Sequence, residues 1–93
     1  MKKKKLEIVR KELDKLDQKL LDLFKIRTEI VKKVIKLKKF KKQIVDRQRI
    51  KKVLLRIKKS SIKRRIDPNI TVKIWKSIIN SYINFERKNF SKK

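Results

Sequence analysis

The feature that most constrains the fold of this chain is the near absence of residues that break helices. The 93 residues include no glycine and one proline, Pro68. Because glycine and proline are the usual residues of helix ends and tight turns, long helices are expected. From Leu6 onward, apolar residues recur in steps of three and four, the spacing of one helix face. This apolar seam consists of Leu6, Val9, Leu13, Leu16, Leu20 and Leu23.

The sequence predicts three helices joined by short connections. Their expected ranges are about 4–40, 46–64 and 67–89. Asp46 and Asp67 are suited to act as N-caps, and Pro68 fits the first helical position after Asp67. Residues 41–45 are expected to form a polar connection. The buried side of the third helix is expected to comprise Ile70, Ile74, Trp75, Ile78, Ile79 and Tyr82.

The length of the first helix determines the predicted architecture. At 1.5 Å per residue the helix would be roughly 50 Å long, which exceeds the width of a globule of this size. Its seam must therefore be covered by the other helices or by a second chain. We predict an all-α fold with a single domain, residues 1–93, that forms an intertwined helical homodimer. A monomeric three-helix bundle is the competing architecture.

Three charged residues occupy positions where the helix seams should be apolar. Arg27 and Lys38 continue the stripe of the first helix, and Glu86 continues a stripe of the third helix. A charge that faces an apolar interface is costly unless another group pairs with it. The pattern therefore predicts an interior site for a polar, anionic ligand.

The composition excludes several kinds of chemistry. The chain has no histidine and no cysteine, which rules out a disulfide framework, a zinc site with such ligands and every Ser-His or Cys-His nucleophile. Only nine acidic residues are present. If the chain is an enzyme, we expect it to use no metal, no cofactor and no covalent intermediate.

The net charge of +24 indicates some attraction to polyanions at low salt. Lysine and arginine are spread along all three predicted helices, however, which is more typical of a solvated basic surface than of a specific nucleic-acid site. The sequence contains neither a signal-peptide core nor an apolar run of membrane-spanning length. We therefore expect a cytoplasmic protein without a membrane partner.

Several short motifs, none specific alone, follow one another along the chain. They are Arg10-x3-Asp14-x2-Asp17, Arg27, Lys38, Asp46-x-x-Arg49, Ile66-Asp67-Pro68 and Glu86. In this order they resemble the all-helical chorismate mutases over about residues 6–90, in register apart from the loop after Lys38. The resemblance implies the rearrangement of chorismate to prephenate in an intertwined dimer, with each site built from both chains.

The resemblance also implies roles for individual residues. Arg27 would bind one substrate carboxylate, and Arg10 would reach the other from the partner chain. Lys38 would donate to the ether oxygen, which gains negative charge as the C–O bond breaks. Arg49 would help to hold a carboxylate-bearing end or to fix Lys38. Asp46 would contact the hydroxyl region of the substrate, although a plain N-cap explains it equally well.

The chain departs from the family pattern at three positions. Ile50 replaces a glutamate that binds the substrate hydroxyl, and Tyr82 replaces a small polar residue. Glu86 takes the place of a glutamine that contacts the ether oxygen. A carboxylate at that position would repel the developing negative charge, whereas a protonated carboxyl could donate to it. The expected site still includes Tyr82 among the substrate-binding residues, and Glu86 with Lys38 and Arg27 among the catalytic residues.

Two alternative functions stay open at this point. The isochorismate-pyruvate lyases share the fold and the cationic site, and they resemble this chain in the aliphatic residue after Arg49 and in Tyr82-Ile83. The second alternative is a basic helical dimer that binds nucleic acid and has no enzyme activity. It predicts that Arg27 and Lys38 behave as ordinary surface charges.

Overall fold

The computed structural model describes residues 2–91, and these residues are almost entirely helical. The helices are α1 (Lys2–Leu37), α2 (Arg47–Lys63) and α3 (Pro68–Asn89), and a short 3₁₀ turn (Lys41–Gln43) lies between α1 and α2. The described range contains no strand, so the predicted all-α fold with three main helices is confirmed. None of the helices in this range is both long and apolar enough to cross a membrane.

The chain divides into two compact units, with the boundary between Lys33 and Val34. The first unit consists of most of α1. Its apolar seam from Leu6 to Leu23 is 44–61 % exposed, although six large apolar residues make up this face. The prediction of a single domain stays a prediction.

In the second unit, α2 and α3 pack against each other. A hydrogen bond of 2.6 Å joins the hydroxyl groups of Ser61 on α2 and Thr71 on α3. This contact places Thr71 on the side of α3 that faces α2. Trp75, one helical turn further on, shares that side and is half-buried.

The prediction that Ile70 and Ile74 are buried is wrong for the single chain. Their exposed fractions are 56 % and 48 %. Ile70 precedes Thr71 by one residue, so it is turned away from the α2-facing stripe by about 100°. Ile74 lies one turn after Ile70 on the same face. The other four residues predicted on the buried side are half-buried: Trp75, Ile78, Ile79 and Tyr82.

The connection between α1 and α2 is less polar than predicted. It contains Ile44, which is only 4 % exposed and is one of two buried apolar residues, with Ile35, in the described part of the chain. The backbone N–H of Ile44 donates to the carbonyl of Lys41 at 3.1 Å, as expected for a 3₁₀ turn. A single buried isoleucine therefore anchors this connection, which belongs to the second unit.

Both predicted N-caps are confirmed. The side chain of Asp46 accepts a hydrogen bond from the backbone N–H of Arg49 at 3.0 Å at the start of α2. The side chain of Asp67 accepts one from the backbone N–H of Asn69 at 2.9 Å, with Pro68 as the first residue of α3. Each cap satisfies an N–H that has no partner within the helix.

The end of α2 is a Schellman motif without glycine. The N–H of Ile66 donates to the carbonyl of Ser61 at 2.9 Å, and the N–H of Arg65 donates to that of Ile62 at 3.0 Å. Arg65 has φ of 58°, which is the left-handed conformation that glycine usually adopts at this position. A residue with a Cβ atom adopts this conformation at a cost of about 1–2 kcal/mol.

We therefore expect Arg65→Gly to stabilise the protein by about 0.5–1 kcal/mol, because it removes the Cβ clash while the greater freedom of glycine in the unfolded chain offsets part of the gain. Thermal unfolding followed by circular dichroism at fixed protein concentration measures this change. The matched control is Lys58→Gly, which places glycine at an exposed position in the interior of α2 and should destabilise by about 1 kcal/mol. Equal effects of the two substitutions would contradict the role assigned to Arg65.

Candidate active site

The centre of the site is an ion pair between two of the predicted catalytic residues. The Nζ atom of Lys38 donates to Oε1 of Glu86 at 2.8 Å, and the side chains are only 20 % and 10 % exposed. Lys38 follows the last residue of α1, and its backbone N–H still donates to the carbonyl of Val34 at 3.1 Å. Glu86 lies in the last turn of α3. The pair therefore joins the ends of the first and third helices.

The position of Glu86 is electrostatically unfavourable without Lys38. The last turn of a helix carries the negative end of the helix dipole, which disfavours a carboxylate. Burial adds a desolvation cost that only a close cation or hydrogen-bond donor can offset. The ammonium of Lys38 supplies both. It also lies 3.5 Å from the carbonyl oxygen of Ile44, a longer and weaker contact.

An open cavity of about 510 Å³ adjoins Lys38. Its lining combines Lys38 with residues of the connection and of the first turn of α2, namely Gln43, Val45, Asp46, Arg47 and Gln48. Asp46 and Lys38 therefore line the same cavity, and the role of Asp46 in the site stays a prediction. The carboxylate of Asp46 is already engaged as the N-cap of α2, which agrees with the simpler explanation of this residue.

The participation of Arg49 in the site stays a prediction. Its backbone N–H bonds to Asp46, but its side chain is exposed and is not part of the lining of the cavity beside Lys38. Arg47, two residues earlier, lines that cavity instead.

A second open groove, of about 680 Å³, lies between α2 and α3. Its lining is Val45, Arg47, Ile50, Lys51, Asn80, Ile83, Asn84 and Arg87. Ile50, which replaces the family glutamate, contributes an apolar surface here. Arg47 lines both cavities and so marks where they adjoin. Neither Arg47 nor Gln43 was predicted as a site residue.

The remaining predicted residues are Tyr82, Arg10 and Arg27. Tyr82 is half-buried one turn before Glu86 and packs edge-on against Phe85, with ring centroids 6.3 Å apart. Arg10 and Arg27 belong to the first unit. Arg10 is exposed, whereas Arg27 is half-buried and its Nη1 atom is fully buried. The participation of both arginines in the site stays a prediction.

Comparison with known families identifies the class of protein. The family model described as chorismate mutase type II matches residues 9–87, which is most of the chain. The chain belongs to this family, and the resemblance seen in its motifs is confirmed. No curated protein and no solved structure gave a significant match.

Family membership establishes the reaction. The chain is an isomerase that converts chorismate to prephenate, a step towards phenylalanine and tyrosine. The comparisons give no support to the lyase alternative or to a nucleic-acid-binding protein without activity. Chorismate carries two carboxylates and an ether oxygen, so its site requires cations and hydrogen-bond donors of the kind that Lys38 supplies.

We expect Lys38→Met to destabilise the protein by about 1–3 kcal/mol, because it leaves Glu86 buried without its cation. The double variant Lys38→Met/Glu86→Leu should lie within about 1 kcal/mol of the parent, since two apolar side chains remove the unpaired charge. Denaturant unfolding of the parent, both single variants and the double variant measures the coupling. Additive losses would show that the pair makes no net interaction.

Proposed function

We propose that Lys38 and Glu86 act on the ether oxygen of chorismate. The observation that carries this proposal is the 2.8 Å contact between them at the edge of a cavity. An ammonium has three N–H donors, and among the described residues Glu86 and Ile44 account for two of them. The third can donate to a ligand oxygen as negative charge develops there. Glu86 holds the ammonium in place.

The two arginines of the first unit are proposed to bind the carboxylates of the substrate. A planar guanidinium can form two parallel hydrogen bonds to one carboxylate, which fixes orientation as well as position. The partial burial of Arg27 suits a residue that works inside an interface, and the exposure of Arg10 suits one that reaches another chain. Held at both carboxylates, chorismate would keep the compact chair-like conformer that reacts.

The proposed assembly is a homodimer in which Arg10 completes the site of the partner chain. The support is the seam of α1, whose six large apolar residues from Leu6 to Leu23 remain 44–61 % exposed in a single chain. A continuous apolar face of this length is uncommon on a monomer in water and is typical of an interface. A second copy of α1 offers the same face and so matches it in length and character.

Asp46, Arg49 and Tyr82 complete the proposed substrate-binding set. Asp46 would act mainly through the backbone of the α2 start, since its carboxylate caps the helix. Arg49 would need to turn its exposed side chain towards the substrate. A cytoplasmic location and weak binding of polyanions at low salt, which the charge of +24 favours, are part of the same proposal.

Substitution of the proposed catalytic cations tests this site. We expect Lys38→Ala and Arg27→Ala each to lower kcat/KM for chorismate by about 100-fold or more, because each removes a preorganised donor or cation. Loss of chorismate absorbance measures turnover, and product is verified as phenylpyruvate after acid treatment. The control is Lys33→Ala, an exposed lysine of α1, which should stay within about twofold of the parent.

Equal activity of Lys38→Ala, Arg27→Ala and Lys33→Ala, with folded protein in each case, would remove both residues from the proposed site. Circular dichroism of each variant separates loss of catalysis from loss of structure. Turnover of the parent must be established first under the same conditions.

Mixing of two inactive variants tests whether Arg10 acts across chains. Arg10→Ala and Arg27→Ala are each expected to be inactive as homodimers. After joint unfolding and refolding at equal amounts, a mixed dimer contains one site with both arginines intact and one with neither. We therefore expect about a quarter of parent activity to return. No recovery, although mass spectrometry detects mixed dimers, would place both arginines of a site on one chain.

A further inference from the structure

A side-chain amide holds the backbone that follows Lys38. The Oε1 atom of Gln43 accepts hydrogen bonds from the backbone N–H groups of Lys39 at 2.7 Å and Phe40 at 2.9 Å. The N–H of Lys38 itself donates to the carbonyl of Val34 at 3.1 Å, as in a helix. The backbone of Lys38 is therefore fixed by α1 on one side and by Gln43 on the other.

The same short turn also touches the ammonium of Lys38. Gln43 is the last residue of the 3₁₀ turn, and its backbone N–H donates to the carbonyl of Phe40 at 3.0 Å. The next residue, Ile44, is 4 % exposed and anchors the turn. Its carbonyl oxygen lies 3.5 Å from Nζ of Lys38. Gln43 thus connects the backbone of Lys38 to the carbonyl group beside its ammonium.

We propose that Gln43 is a positioning residue for Lys38, an inference that rests on the proposed role of Lys38 in the reaction. Lysine has a long, flexible side chain, so the direction of its ammonium depends on how firmly the Cα atom and the surrounding acceptors are held. Gln43 fixes the Cα atom from its C-terminal side and orders the carbonyl of Ile44.

Substitution of Gln43 has a direct kinetic consequence. Gln43→Ala removes the acceptor of both backbone N–H groups and lets the turn relax. A displacement of about 1 Å at a catalytic group is enough to slow a reaction markedly. We expect kcat for chorismate to fall about tenfold, with a smaller change in KM, because Lys38 acts mainly as charge develops in the transition state.

Two further variants separate positioning from general damage to the fold. Gln43→Glu keeps an acceptor oxygen at the same reach and is expected to restore most of the lost kcat. Gln18→Ala removes another exposed glutamine, from the first unit, and should leave kcat within about twofold of the parent. Thermal unfolding of each variant shows whether the protein is folded at the assay temperature.

The decisive measurement is a double-mutant cycle with Lys38. If Gln43 acts through Lys38, then in the Lys38→Ala background Gln43→Ala should lower kcat by about twofold at most. A full tenfold loss in that background, or parent-like kcat for Gln43→Ala alone, would overturn the inference. Parent-like turnover of Lys38→Ala would instead overturn the proposed role of Lys38, and with it the role of Gln43.

Discussion

The structure depends on the pairing of Lys38 with Glu86. Each charge alone would be a liability, since one is partly buried at the end of α1 and the other lies at the negative end of the α3 dipole. Together they satisfy each other and join the ends of two helices through residues that are 48 positions apart in sequence. The same arrangement places a hydrogen-bond donor beside a cavity. Structural support and the proposed chemistry therefore share one contact.

Much of the fold could be predicted from the sequence because helices are determined locally. The spacing of apolar residues and the absence of glycine predicted three helices, and Asp46 and Asp67 predicted where two of them begin. The burial of Ile44 could not be predicted this way, because two adjacent apolar residues, Ile44 and Val45, in a short polar stretch show no helical periodicity. Its position became clear only from the turn that it anchors.

The candidate site was predictable for a different reason. Lys38 and Glu86 stand out because each occupies a seam position that should be apolar. A charged residue at such a position is costly unless another group pairs with it. Arg47 and Gln43 have no such signal, since a basic residue is common in a chain of +24 charge and Gln43 lies outside any helix seam. The role of a residue in a turn is identified from its hydrogen-bond partners, and the sequence alone does not reveal those partners.

The left-handed Arg65 has a wider consequence for a chain without glycine. Elsewhere in the described range no residue adopts a positive φ, so the other connections use extended and right-handed conformations. Two successive amides after α1, those of Lys39 and Phe40, bond to a side chain. Between α1 and α2 that side chain is Gln43. In a chain without glycine, this polar side chain thus anchors the backbone next to Lys38.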